Sequence, residues 1–156
     1  MTEKDPQAVA RFVERFGLLL AEGGVPRMPA RVFACLMATD TGSLTAPELA
    51  EALRVSPAAI SGAVRYLLQV TLISKGREPG ERRDHYTVSD AAWIEAFTNR
   101  DKLLENWTAA LTEGIDALGP GTPAAARLDS TRRFFHFVQG ELEGMMERWR
   151  AHEANR

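Results

Sequence analysis

A single cysteine, Cys35, in 156 residues leaves no internal disulfide framework and no multi-cysteine zinc site. No apolar run approaches the roughly 20 residues of a membrane span. Met1-Thr2-Glu3-Lys4-Asp5 is polar and mixed in charge, unlike a signal peptide. Both absences set the expectation of a cytoplasmic protein with no membrane partner. Histidine is scarce: His85, His136 and His152 fall in separate segments, none beside a motif partner, so neither a catalytic nor a metal site is expected. A phosphate-binding glycine loop is missing too, because Gly76-Arg77-Glu78-Pro79-Gly80 reads as a turn within a ribbon, not a strand-to-helix junction. The chain is therefore read as no enzyme and as carrying no cofactor.

A strong charge of either sign is also lacking, since the net charge is −2. That small total hides a division. Residues 54–86 hold six basic side chains (Arg54, Arg65, Lys75, Arg77, Arg82, Arg83) against three acidic ones (Glu78, Glu81, Asp84), a net +3. The remaining segments hold 13 basic against 18 acidic, a net −5. Such a local concentration is a modest nucleic-acid footprint, and pairing two copies would double it.

That basic segment lies within the most patterned stretch of the chain, Leu44 to Val88. Thr45 and Glu48 have the spacing of a capping box and open a short helix with Leu49, Ala50 and Leu53 on its apolar side. Arg54 and Val55 make a turn. Ser56 then caps a second helix with Pro57 in its first position, where the missing N–H costs nothing. Ile60, Val64, Leu67 and Leu68 recur at helical spacing and face the core. Ala58, Ala59, Ser61, Gly62 and Arg65 are left outward, a face small enough to lie deep in a DNA major groove.

A ribbon follows. Leu72-Ile73-Ser74-Lys75 reads as a strand and Asp84-His85-Tyr86-Thr87-Val88 as its antiparallel return, with a Pro79-Gly80 turn carrying Arg77, Arg82 and Arg83 between them. Arginines at a ribbon tip reach a narrow minor groove, and Glu81 is placed to hold one guanidinium in a fixed pose. The plain reading of a charged hairpin as a solvated turn loses ground directly after a helix-turn-helix.

This stretch resembles the winged helix-turn-helix of the MarR family of bacterial transcriptional regulators. Glu78-Pro79-Gly80-Glu81-Arg82-Arg83 is similar to that family's wing signature, with Glu in place of the usual Asp. The order of the flanking elements matches as well. The MPARVFACL stretch (28–36) and the long C-terminal helices resemble the GbsR-like branch. Gly62 departs from the longer polar or basic side chain that many relatives carry. The resemblance implies a homodimer that binds double-stranded DNA at a near-palindromic operator, acts as a repressor and answers a small-molecule effector.

The flanks read as helices. Val9, Phe12, Val13, Phe16, Leu19 and Leu20 form one stripe over residues 7–22, suited equally to a dimer contact or to the core. A second helix from Pro29 holds Val32, Phe33, Leu36 and Met37, with Arg27 and Arg31 near its start in reach of phosphate. Cys35 lies in this apolar stretch and is read as core, not as a redox sensor. After the ribbon, Ser89 or Asp90 caps a helix to about Leu118, with Trp93, Phe97, Leu104, Trp107, Leu111, Ile115 and Leu118 on one face. Gly119-Pro120-Gly121 breaks it. Thr122-Pro123 restarts a last helix bearing Phe134, Val138, Leu142, Met145 and Trp149.

The expected fold is mainly α: a winged helix-turn-helix with a small β-ribbon wing, and long N- and C-terminal helices forming a dimerisation unit. Residues 25–88 are assigned to DNA binding, and 1–24 with 89–156 to dimerisation. The candidate DNA contacts are Ser56, Pro57, Ala58, Ser61, Gly62 and Arg65 on the second helix, with Lys75, Arg77, Arg82 and Arg83 on the wing. The candidate dimer contacts are Phe12, Phe16, Phe134, Val138, Leu142, Met145 and Trp149. The alternative is a winged-helix module for protein contact or non-specific structural DNA association.

Overall fold

The computed structural model describes residues 4–88 and 91–156, with the side chains at 95 and 97–99 outside that description. The expected caps Ser89 and Asp90, and the side chain of Phe97, therefore lie outside the described residues. Two compact units are present, Met1–Trp93 and Ile94–Arg156.

In the first unit, Asp5 caps α1 (Pro6–Glu22) by accepting from the Gln7 N–H, and Pro6 occupies the first turn. α2 (Arg27–Met37) starts two residues before the expected Pro29. Proline fits there because the first four N–H groups of a helix have no intrahelical partner. Ala30, Val32, Phe33, Ala34 and Leu36 are all buried, so α2 is the central helix, apolar nearly all round. The largest fully buried side chains are Phe33, Leu36, Leu49, Ile60, Leu67 and Val32. Each contributes about 1.5–3 kcal/mol on leaving water. Phe33 meets Trp93 edge-on at 5.5 Å.

α1 crosses α2 closely at Gly17, where an added Cβ would stand 3.3 Å from the Arg31 Cα. Beside this crossing Arg31 donates from Nε to both Glu14 carboxylate oxygens at 3.1 Å, and from Nη2 to Glu14 at 2.7 Å and to the Leu53 carbonyl at 3.2 Å. Arg31 thus ties α1, α2 and the end of the next helix together. The expectation that it reaches phosphate is corrected, since its donors are spent inside the fold. Only Val13 and Gly17 of α1 are buried; Phe12 and Leu19 face outward. The expected stripe is split between an inner edge and an outer one. Within a single chain α1 belongs with the winged-helix elements, and its role toward a second copy is a separate matter.

β1 (Ser43–Thr45) runs directly into α3 (Ala46–Leu53), and α4 (Pro57–Gln69) follows after Arg54, Val55 and Ser56. β2 (Ile73–Gly76) and β3 (His85–Val88) complete an antiparallel sheet of order β1-β3-β2. The register pairs Ile73 with Val88 and Gly76 with His85, while Ser43 pairs with Thr87 on the other edge. Both expected ribbon strands are present, one residue displaced or shorter, because the Leu72 N–H is taken by the Leu67 carbonyl at the end of α4. β1 was not expected: it has three residues, and its partners lie 40 to 44 positions away.

The second unit is the hairpin of α5 (Ala92–Leu118, from Ile94) and α6 (Pro123–Ala154). Gly119 and Gly121 turn the chain at φ +85° and +93°, and Thr122 caps α6 by accepting from the Ala125 N–H. Its side chains meet in antiparallel order: Gln139 with Asp101, Trp107 with Phe135 at 5.6 Å, Arg132 with Thr112 at 3.3 Å. Leu104, Leu111, Ile115, Val138 and Leu142 are half-buried, whereas Trp107, Met145 and Trp149 stay exposed. The most open large side chains are Phe134 at 61% and Phe137 at 66%.

Candidate nucleic-acid interface

α3 and α4 are held as a helix-turn-helix by chemistry local to each start. Thr45 Oγ1 accepts from the Glu48 N–H at 3.4 Å while Glu48 accepts from the Thr45 N–H at 3.2 Å, the reciprocal pair of a capping box. The Thr45 hydroxyl donating to Glu48 Oε1 at 2.8 Å, then the Thr45 N–H, with the charges of His85 and Arg83 nearby, hold the Glu48 carboxyl below its ordinary value. Ser56 Oγ accepts from the Ala59 N–H at 3.2 Å and fixes the start of α4. Ile60, Ala63, Val64 and Leu67 then point inward.

The opposite side of α4 is open. Ser56, Pro57, Ala58, Ser61, Gly62 and Arg65 are exposed, and Ala59 is half-buried. Apart from its chain neighbours and the nearby backbone of α4, no atom stands within 4 Å of where a Gly62 Cβ would be. Ala58, Ser61, Gly62 and Arg65 recur at the i, i+3, i+4, i+7 spacing of one helix face. That face offers a narrow ridge of exposed side chains ending in one cation.

The wing is stiffened by contacts the sequence did not reveal. Pro79-Gly80 makes a turn closed by the Glu81 N–H donating to the Glu78 carbonyl at 3.0 Å, with Gly80 at φ +85° as a type II turn requires. Arg77 Nε donates to Asp84 Oδ1 at 2.8 Å across the neck. Glu81 meets His85 Nε2 at 2.5 Å and raises the imidazole pKa above its ordinary value. The expectation that Glu81 holds a guanidinium is thereby corrected. The held guanidinium is that of Arg77, and its partner is Asp84. In a ribbon of this register Glu81 returns toward the strand that carries His85, not toward the tip.

Lys75, Arg77, Arg82 and Arg83 are all exposed, as the sequence suggested. They are not equivalent. Arg77 is committed to Asp84, whereas Arg82 and Arg83 make no hydrogen bond or ion pair among the described residues. Thr45, Glu48, Glu81, Arg82, Arg83 and His85 line a cleft of about 410 Å³ where the wing root faces the start of α3. α4 and the wing belong to one unit, and Arg82 and Arg83 are the uncommitted cations of that wing. Asp84 and His85 are the positioning residues that sequence reasoning missed. The i, i+4 spacing of Glu81 and His85 was the available signal.

Elsewhere the chemistry is sparse. Among the described residues no group of three or more His, Cys, Asp or Glu side chains gathers to hold a metal. No helix is long and apolar enough to cross a membrane. Cys35 is buried, and burial pushes its thiol pKa up despite the nearby charge of Arg31, the reverse of what a reactive thiolate needs. Of the candidate dimer residues, Phe12, Phe134, Met145 and Trp149 are exposed. Phe16, Val138 and Leu142 are half-buried, and Phe16 stacks on Phe12 at 5.6 Å.

Two family models match the chain: one described as MarR family over residues 24–84, the other as an MmpR5-like MarR family transcriptional regulator over residues 91–152. No curated protein matches it. Among solved structures, one described only as a transcriptional regulator superposes with a TM-score of 0.83 at 23% identity, covering 92% of this chain and 99% of its own. The DNA complex of Staphylococcus aureus MepR gives 0.43 at 18% identity, covering 72% and 97%. Streptomyces coelicolor Sco5413, a MarR family transcriptional regulator, gives 0.42 at 16%, covering 86% and 90%.

Proposed function

The chain belongs to the MarR family of DNA-binding transcriptional regulators, and we propose that it works as a homodimeric repressor of a near-palindromic operator whose hold is weakened by a small-molecule effector. One observation carries the reading. The uncovered ridge of α4 and the two uncommitted arginines of a braced wing belong to the same unit. A ridge of small side chains enters a major groove without steric conflict, and cations at a ribbon tip gain from the negative minor groove beside it. Residues 25–88 supply this surface.

Residues 1–24 and 89–156 supply the contact with the second copy. Exposed Phe134 and Phe137 on α6, and Phe12 and Leu19 on α1, are large apolar side chains that a partner would cover. With one α4 per subunit on the same DNA face, the half-sites fall roughly 10 base pairs apart between centres. The GbsR-like branch rests on residues 28–36 and the length of the C-terminal helices, while the model matching 91–152 is described as MmpR5-like.

Selection of bound duplexes from random DNA, with sedimentation of the protein alone, tests the reading. Recovery of a two-fold symmetric site by a dimer is the expected result. A compact monomer at micromolar concentration, or a single asymmetric half-site, overturns the dimer. Equal binding to every sequence favours the alternative, a winged-helix module without sequence readout, which the small α4 face Ala58, Ser61, Gly62 would suit.

A further inference from the structure

Arg54 ends α3 in the left-handed conformation, φ 55° and ψ 49°. Its backbone N–H closes the helix on the Ala50 and Glu51 carbonyls. That duty needs only a backbone, and glycine performs it without the clash a Cβ suffers there. The side chain does nothing for the fold in return: it is exposed and makes no hydrogen bond or ion pair among the described residues. Arg31, Arg77 and Arg132, by contrast, are each committed to a carboxylate of this chain. A strained residue with a free cation, where an unstrained residue would serve, points to a use outside the chain.

Its place suggests the use. Arg54 stands two residues before Ser56, on the turn that delivers the start of α4, and the next residue, Val55, is pinned by its N–H to the Ala50 carbonyl at 3.0 Å. The positive end of the α4 helix dipole lies beside it, so both favour an anion at this corner. We propose that Arg54 is a phosphate clamp: its guanidinium takes a backbone phosphate of the strand bordering the groove that α4 enters, adding affinity without reading a base. This rests on the proposed DNA binding by α4. It adds a contact separate from Arg65 on the helix face and Arg82 and Arg83 on the wing.

Arg54→Gly and Arg54→Lys test it, on a duplex selected by the wild-type chain and on an unrelated duplex of equal length, across a salt series. The glycine variant should melt at or above the wild-type temperature. It should lose about five- to tenfold in affinity on both duplexes, with a salt slope shallower by about one unit. The lysine variant, which keeps the charge, should retain most of the binding. Unchanged affinity and slope in Arg54→Gly overturn the clamp. So does a loss of binding that comes with a lower melting temperature, which would make Arg54 a structural residue. If selection with the wild-type chain recovers no duplex, the DNA-binding reading itself falls, and the clamp with it.

Discussion

Arg77 and Asp84 close the neck of the wing, Nε donating to Oδ1 at 2.8 Å across seven positions of chain. The guanidinium holds the Asp84 carboxyl below its ordinary range, and Asp84 in turn raises Arg77. Both groups are solvated, so the pair adds little to global stability. Its effect is local: it joins the two ends of the loop that carries Arg82 and Arg83.

Asp84→Asn should therefore loosen the loop while leaving the melting temperature nearly unchanged. Amide exchange across residues 78–83 should quicken. The same loosening should appear in the wild-type protein in acid. A depressed carboxyl contributes above its unfolded pKa, and the contribution is lost as pH falls through the lower folded value. Unaltered exchange in the variant would show that the pair does not order the tip.

His85 carries the opposite dependence. The Glu81 hydrogen bond raises the imidazole, with help from Glu78 and Glu48, above the ordinary 6.5. The contribution of this contact to the wing is complete below the unfolded pKa and is lost as pH rises through the raised folded one. A ring-proton NMR titration should place His85 above 6.5 in the wild type, moving back toward it in Glu81→Gln. A wild-type titration at or below that value would remove the pairing from consideration.

Wing and recognition helix should fail differently. Arg82→Ala removes an uncommitted cation from the ribbon tip, so binding should weaken on operator and random DNA alike, with a salt slope shallower by about one unit. If Arg65 reads a base edge, Arg65→Ala should cost about 1–3 kcal/mol on the operator and much less on random DNA. If it holds a flanking phosphate, both DNAs lose equally. Salt titrations of both variants decide. Should Arg82→Ala leave affinity and slope unchanged, the wing does not touch DNA.

α1 and α2 approach closely where they cross, and Gly17 is the point of contact. Because a Cβ there would stand 3.3 Å from Arg31 Cα and Cγ, a larger side chain must push the helices apart or unseat Arg31 from Glu14 and Leu53. Gly17→Leu should lower stability by roughly 1–3 kcal/mol, read as a fall in the urea midpoint. Helix propensity alone argues for a gain near 1 kcal/mol. A raised midpoint would mean the seam has more room than its geometry suggests.

How much of this was legible in the sequence follows from how far apart the partners lie. Thr45 with Glu48 and Ser56 with Ala59 are three residues apart, and both caps could be read directly. The strands of the wing carried their own turn signal. Arg31 was read as a surface arginine open to phosphate or to water because its partners, Glu14 and the Leu53 carbonyl, lie 17 and 22 positions away. β1 escaped for the same reason. Glu81 was expected to hold a guanidinium and instead meets His85, because the order of residues along a turn says nothing of the side on which each emerges. On α6 the stripe from Phe134 to Trp149 left out Phe137, which the structure leaves the more exposed of the two phenylalanines at 66%. Over 32 residues a strict repeat drifts around a straight helix, and no local signal shows by how much.

Gly62 sits inside α4, where glycine costs about 1 kcal/mol against alanine, and no neighbour lies within 4 Å of its missing Cβ. The fold neither demands a glycine there nor resists a replacement. If α4 enters the groove as proposed, position 62 is a blank in the recognition text: asparagine, glutamine or arginine would start from a Cβ that meets open space. On that proposal a duplicated copy of the gene could part from its parent in the DNA sites it answers by changing one codon, keeping the same core, hairpin and braced wing.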